Sequence, residues 1–365
     1  MTSPTATLVI SGWSAASPYG LGAEPFAAGL AAAEPATTEL TADDPASGPY
    51  DRAGTVPGFD IRQALGRKGT RSMDRATALA VTTAGMLLDS AGAGLAQDRP
   101  DDIGMVLGTG HGSIQSIMEF TRSSLTAEKP FHVDPALFPN TVMNRAAGQS
   151  AIWHKLRGPN TTVSGGALTG LLALNYASRL LRQGHCEAVL AGAVEEFSAE
   201  RAWLEYHSRG PHRPAGPLGE GCALFLVESL ARAGRYGRPV LATLRSARFT
   251  AFSEPDRVGQ ALTRAVAEAL KEADVRPEDI AVLVPSDCGG VLGGREEAAL
   301  GEIFDRTGAR AVRLRRLIGD ASAASAAFQL AAAVTAARPG ELALVTSVDP
   351  DGQTGATVLQ AGERS

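Results

Sequence analysis

Residues 157–196 read RGPNTTVSGGALTGLLALNYASRLLRQGHCEAVLAGAVEE, and this pattern decides the fold. Thr161, Thr162 and Val163 favour a strand, and Gly165-Gly166 permit a sharp turn. From Ala167 to Arg182, Leu168, Leu171, Leu172, Leu174, Leu180 and Leu181 cover most of a helix circumference. A helix apolar on nearly all sides is expected inside a large protein. Gly184 suits the left-handed conformation that ends such a helix, and Ala188 to Gly192 form the next strand. A strand, elbow and helix in this order aim the first helical residue at the positive end of the helix dipole. A serine or cysteine there would be activated as a nucleophile. The chain places Ala167 there, and alanine can do no chemistry.

Strand and helix alternate on both sides of this stretch. Before it come a strand at Leu8–Ile10, a helix at Glu24–Ala33, a Pro-, Asp- and Gly-rich loop from Pro35 to Gly58, and a helix from Ser72 to Gly92. A buried strand, Ile103 to Leu107, leads into Gly108-Thr109-Gly110-His111-Gly112. Ser113 to Leu125 then reads as a helix with Ile114, Ile117 and Thr121 on one face. A loop over Lys129–Pro139 and a short helix over Asn144–His154 follow. After it come a helix at Glu200–His207, a loop, a strand at Cys222–Val227 and a brief helix at Leu230–Gly234. From Pro239 a similar order returns: strand Val240–Ala247, helix Arg257–Ala273, strand Ile280–Val284, helix Glu296–Phe304, helix Ala321–Ala337, and strands Leu342–Ser347 and Ala356–Gln360. The expectation is one compact α/β unit of two halves, 1–234 and 235–365. The tally of elements fits either helices between two sheets or a doubly wound open sheet.

At 365 residues and 44% hydrophobic content, the chain can bury a large core. Its net charge of -5 offers no general attraction to nucleic acid or anionic membrane. Cys186, Cys222 and Cys288 lack metal or disulfide spacing, which suits a reducing cytoplasm. MTSPTATLVISGW has neither the charged region nor the apolar run of a signal peptide. Ser322, Ser325, Gln329 and Thr335 interrupt the one long small-residue stretch, so no membrane span is expected.

The chain resembles the ketosynthase branch of the thiolase superfamily. The residues that carry the resemblance are LRGPNTTVSGGALTG, AVLAGAVEEFS, GPLGEGCALFLVES and GRPV, in that order. Leu107-Gly108-Thr109-Gly110, GREEAALGEIF and GDASAASAAFQLA add to it. Each piece is weak alone; order and spacing together are specific. The resemblance implies a five-layered αβαβα fold of two pseudo-repeated halves, usually dimeric. It also implies a cysteine at the elbow, two histidines and a lysine, which take an acyl chain from an acyl carrier protein and condense it. The cysteine position falls on Ala167 and the first histidine on Ser286. The second falls in Ile318-Gly319-Asp320, at Gly319 or Asp320, and the lysine on Arg315. The loop before GEG is shortened to GPHRPAGPL, and a gating loop is replaced by Ser347-Val348-Asp349-Pro350-Asp351-Gly352.

Chain length factors of type II polyketide synthases are the members of this branch that lose such groups and keep the fold. The resemblance therefore implies a non-catalytic subunit paired with an active ketosynthase and served by an acyl carrier protein, with no cofactor or metal. Alanine at the elbow, where aromatic-polyketide members typically have glutamine, and the compact chain favour the highly reducing, polyene-forming kind. By family position the helix after Gly112 closes the acyl tunnel, with Ile114, Ile117, Met118 and Thr121 as the stop and His111 and Phe138 beside it. Thr161, Thr162 and Val163 would pair with the partner's equivalent strand, with Met143 nearby. Taken without the family, the helix face reads as ordinary core and the strand as internal. Glu195 and Glu196 read as structural side chains pointing apart. The competing function is an active acyltransferase with another nucleophile: Cys288 first, then Ser286 or Ser164.

Overall fold

Two five-stranded sheets frame the protein in a computed structural model that describes residues 6–41, 48–92, 95, 99–208 and 216–363. The first half supplies β1 (Leu8–Ser17), β2 (Ile103–Gly108), β3 (Asn160–Val163), β4 (Ala188–Glu195) and β5 (Gly221–Ser229). The second supplies β6 (Ala242–Ala251), β7 (Ile280–Val284), β8 (Arg310–Ala311), β9 (Leu342–Asp349) and β10 (Gln353–Ala361). The strands lie in the orders β3-β2-β4-β5-β1 and β8-β7-β9-β10-β6. β2 pairs in parallel with β3 and β4, while β4–β5 and β5–β1 are antiparallel. The second half repeats this strand for strand, so the halves are topological copies. β1 and β6 also pair briefly, Val9 with Thr243 and Ile10 with Ala242, joining the sheets edge to edge.

The main helices are α1 (Arg75–Ser90), α2 (Ile114–Thr126), α3 (Arg145–His154), α4 (Thr169–Arg182), α5 (Ala199–Ser208), α6 (Val258–Ala273), α7 (Gly290–Phe304) and α8 (Ser325–Ala336). α4 and α8 pack on each other between the sheets; α1 and α3 cover the first sheet outside, and α6 and α7 cover the second. These are the five layers of a thiolase-like fold, which resolves the choice that the element tally left open.

Side-chain alternation along the strands builds the layers. In β4, Val189, Ala191 and Ala193 face the central helices, while Ala188, Leu190 and Val194 face α1. In β9, Ala343 and Val345 point inward, and Leu344 and Val348 point toward α6. Small residues let the central helices touch. A Cβ on Gly170 of α4 would lie 2.3 Å from the Ala327 backbone nitrogen of α8.

Several boundaries differ from expectation. β1 runs ten residues because Ser11, Gly12 and Ser14, which weaken the local pattern, are enclosed by β5 and α1. α7 starts at Gly290 instead of Glu296: Gly290, Gly293 and Gly294 look like loop but continue a helix packed on α6. α4 begins at Thr169, after a 3-10 turn over Gly166–Leu168, so Ala167 sits in the turn. Within the loop expected from Pro35 to Gly58, Thr38–Glu39 and Arg52–Gly54 form a small sheet with Leu218–Gly219. Most of the shortened loop GPHRPAGPL, its residues 210–215, lies outside the described residues.

Gly170→Val should destabilise the purified protein by about 1–3 kcal/mol in denaturant unfolding, the usual range for overpacking. Gly294→Ala, at an open helical position, should stabilise it by about 0.5–1 kcal/mol. Equal midpoints for the two variants would contradict the close central packing.

Candidate functional site

The elbow is built by β3, the 3-10 turn and α4. Thr169 Oγ1 donates to the Gly166 carbonyl at 2.7 Å and accepts from the Gly165 N–H at 3.0 Å, which sharpens the turn. Gly166 has φ 55°, and a Cβ there would lie 1.8 Å from Asp349 Oδ2, so glycine is required. Asp349 ends β9 and is 5% exposed. The Ala167 N–H donates to its Oδ2 at 2.6 Å, and Ser347 Oγ donates to the Ala167 carbonyl at 3.1 Å. Asp349 Oδ1 accepts from the Asp351 N–H at 2.9 Å. An elbow amide is the kind of donor that stabilises a developing oxyanion. Here a carboxylate already accepts from it, and its charge would repel an oxyanion.

The remaining emptied positions converge on the same strand ends. Ser286 follows β7, and its hydroxyl donates to Glu296 Oε2 at 2.6 Å. Glu296, buried on α7, also accepts from the backbone N–H groups of Ser286 and Asp287 and from Thr346 Oγ1. Burial pushes the Glu296 carboxyl above its ordinary range. Arg315, at the expected lysine position, donates to the Cys288 carbonyl at 2.7 Å and to Asp320 Oδ2 at 2.8 Å. Gly319 has φ 81°, and a Cβ there would lie 2.7 Å from the Leu218 carbonyl oxygen. No side chain larger than glycine fits that position without a shift. Hydrogen bonds and an ion pair thus fill the region.

The other candidate nucleophiles sit in unhelpful surroundings. Cys288 is buried, and burial, with Glu296 nearby, pushes its thiol up to about 12. Burial likewise raises Cys222 to about 12 and Cys186 to about 11. Reactive cysteines show the opposite shift. Ser164 Oγ donates to the Gly110 carbonyl at 3.1 Å. Among the described residues, no histidine hydrogen-bonds a serine or cysteine; His154 instead bonds the Val81 carbonyl under α1.

The expected wall residues lie on α2, and their burial differs along it. Ile114 is buried, Ile117 half-buried, and Met118, Thr121 and His111 exposed. The reading of this face as ordinary core therefore holds for Ile114 alone. Phe138 is exposed, its ring edge-on to Phe120 of α2. Met143 packs by the Gly112 turn and is also exposed. Residues 118–152 carry an unusual share of exposed apolar side chains: Met118, Leu125, Phe131, Phe138, Val142, Met143 and Ile152. Such concentrations mark interaction surfaces. β3, with Thr161, Thr162 and Val163, is an edge strand, paired among the described residues only to β2. It is not the internal strand that its sequence alone suggested.

Sequence reasoning missed the roles of two acids. Asp349 lay in the replaced loop and Glu296 in a motif valued for resemblance alone. Glu195 and Glu196 point apart as structural side chains: Glu195 Oε2, beside Ala323 in the central layer, accepts from the Gly110 N–H at 3.1 Å, and Glu196 Oε1, on the α1 side, accepts from Ser113 Oγ at 3.0 Å and the Gln115 N–H at 3.2 Å. Burial lifts Glu195 to about 7 against the pull of Arg201. Burial and then Asp74 lift Glu196 to about 8.

With this geometry in place, comparison with known proteins identifies the class. The β-ketoacyl synthase N-terminal domain profile matches residues 5–233, and the C-terminal domain profile matches residues 242–349. The chain belongs to the β-ketoacyl synthase family. Over 98% of its length it is 41% identical to a chain of the ishigamide ketosynthase/chain length factor structure, covering all of that chain with a TM-score of 0.90. It is 29% identical to a putative polyketide beta-ketoacyl synthase 1 of Streptomyces virginiae, over 90% of this chain and 84% of that protein. The 3-oxoacyl-[acyl-carrier-protein] synthase 2 of Vibrio cholerae is 26% identical over 75% of this chain and 71% of its own. Among the described residues, no helix is long and apolar enough to cross a membrane.

The raised carboxyls predict a pH dependence. Both acids bind protons more tightly when folded than at the ordinary carboxylate value, so the stability they contribute is full below about pH 4 and falls as pH rises through about 7 and 8. Arg75, Asp74, Arg201 and Glu205 surround the pair and remain in the variants. Thermal midpoints from pH 5 to 9 should therefore decline more steeply in the wild type than in an E195Q/E196Q double variant. Parallel profiles would contradict the assignment.

Proposed function

We propose that this chain is the non-catalytic chain length factor of a type II polyketide synthase. It pairs with an active ketosynthase and closes the far end of the acyl tunnel, while the partner condenses units delivered by an acyl carrier protein. The observation that carries this reading is the elbow, where Ala167 replaces a nucleophile and Asp349 accepts its amide. One lost group would leave room for a variant mechanism. Ala167, Ser286 and the Gly319-Asp320 pair together leave neither the cysteine nor either histidine that the resemblance calls for. The likeness at 41% identity to a chain of the ishigamide ketosynthase/chain length factor structure supports a place in such a pair.

The exposed apolar side chains of residues 118–152 and the edge strand β3 supply the partner's seat. Thr161, Thr162 and Val163 pair across it, beside Met143. α2 then faces the tunnel with Ile117 and Met118 as the stop and Thr121, His111 and Phe138 around them; Ile114 anchors the helix from beneath. Weighing against an active acyltransferase are the buried, high-pKa thiol of Cys288, the tie of Ser286 to Glu296, and the tie of Ser164 to a backbone carbonyl.

The stop is steric. An extended acyl chain lengthens by ~2.5 Å per two-carbon unit, close to what one side-chain change removes or adds. In the assembled complex, Ile117→Ala should lengthen the main product by about one unit and Ile117→Phe should shorten it by about one. Products are sized by mass spectrometry. An unchanged length for both variants in an intact complex would sink the tunnel reading.

A further inference from the structure

We infer that Glu196 is the positioning residue that fixes where the tunnel wall stands, an inference that rests on α2 being that wall. α2 is weakly held by its own chain, since Ile114 is its one buried residue. It packs on α5 and on the 3-10 turn Pro135–Thr141, both surface elements. α1, by contrast, is a core helix with most of its length buried.

One carboxylate joins the two. Glu196 Oε1 accepts from Ser113 Oγ and the Gln115 N–H in the first turn of α2, and its Oε2 accepts from the Ala76 N–H in the first turn of α1 at 3.3 Å. Ser113 also caps α2, accepting from the Ser116 N–H at 3.2 Å. A carboxyl whose two oxygens accept from the N-terminal turns of two helices lies where both dipoles favour an acceptor. The Glu196 backbone is itself held, because Arg201 Nη1 donates to its carbonyl at 2.6 Å and to the Gly219 carbonyl at 2.8 Å. Glu195, bonded to Gly110, steadies the residues just ahead of the helix. The anchorage thus runs from β4 through Glu196 into the N-terminal turn of α2.

The consequence is that of a lever. Thirteen residues make α2 ~20 Å long, so a pivot of ~7° at its first turn moves its far end by ~2.4 Å but Ile117 and Met118, ~5–6 Å along, by only ~0.7 Å; a whole two-carbon unit at the stop requires the first turn itself to come free. Loss of the carboxylate should loosen the wall instead of moving it to a new fixed place. Product lengths would broaden, whereas Ile117 variants would shift them without broadening.

The test uses the full chain in complex with its ketosynthase partner, fed malonyl-loaded acyl carrier protein, with product lengths read by mass spectrometry. In E196A the share of products off the main length should rise about threefold or more while complex stoichiometry and partner acylation stay at wild-type values. E196Q, which keeps an acceptor oxygen, should restore much of the narrow distribution. A wild-type distribution from an intact E196A complex, with Ile117→Ala still shifting it, would overturn the inference. If Ile117→Ala also changes nothing, the tunnel reading itself has failed. Should E196A not assemble, E196D keeps the carboxyl group and withdraws it by one methylene. Broadening is then expected, and a wild-type distribution from E196D overturns the inference.

Discussion

Backbone-to-backbone contact between α4 and α8, at Gly170 and Ala327, is the constraint on which the rest of the protein depends. It sets the thickness of the central layer and hence the spacing of the two sheets. It also brings the turn Gly166–Leu168 against the turn before α8 and beside the end of β9. Asp349 can reach the Ala167 amide only because these backbones lie so close. The fold thus keeps the geometry that an acyl-transferring elbow needs, and fills it with a carboxylate.

What this arrangement retains explains what it lost. Outward-facing features stay well defined: the edge strand β3, the exposed apolar side chains of residues 118–152, and α2 hung from β4 by a pair of acids. The chemistry-bearing positions are instead tied inward, Ser286 to Glu296 and Arg315 to Asp320. Such internal pairing suits a subunit whose contribution is surface and shape.

Much of the frame was legible in the sequence because it follows from periodicity. Ile280–Val284 is a strand with the expected bounds, and α6 departs by one residue from the expected helix. Errors arose where tertiary contact overrides local pattern, as in the glycine-rich start of α7 and the serine- and glycine-containing middle of β1. Of the candidate site, motif spacing could single out Ala167, Ser286, Gly319 and Asp320 as the positions to inspect. The hydrogen bonds that fill them could not be read from it, since Asp349 and Ala167 are brought together across 182 residues of chain. Glu195 and Glu196 do point apart, one beside Ala323 in the central layer and the other to Ala76 of α1, but the particular amides they bind could not be read from the strand pattern.

The most direct test of the central claim is the intact mass of each chain after the complex is incubated with an acyl-loaded acyl carrier protein. A non-catalytic subunit predicts an acyl adduct on the partner ketosynthase and an unchanged mass for this chain, alone or in complex. A stable acyl adduct on this chain when incubated alone would contradict the account.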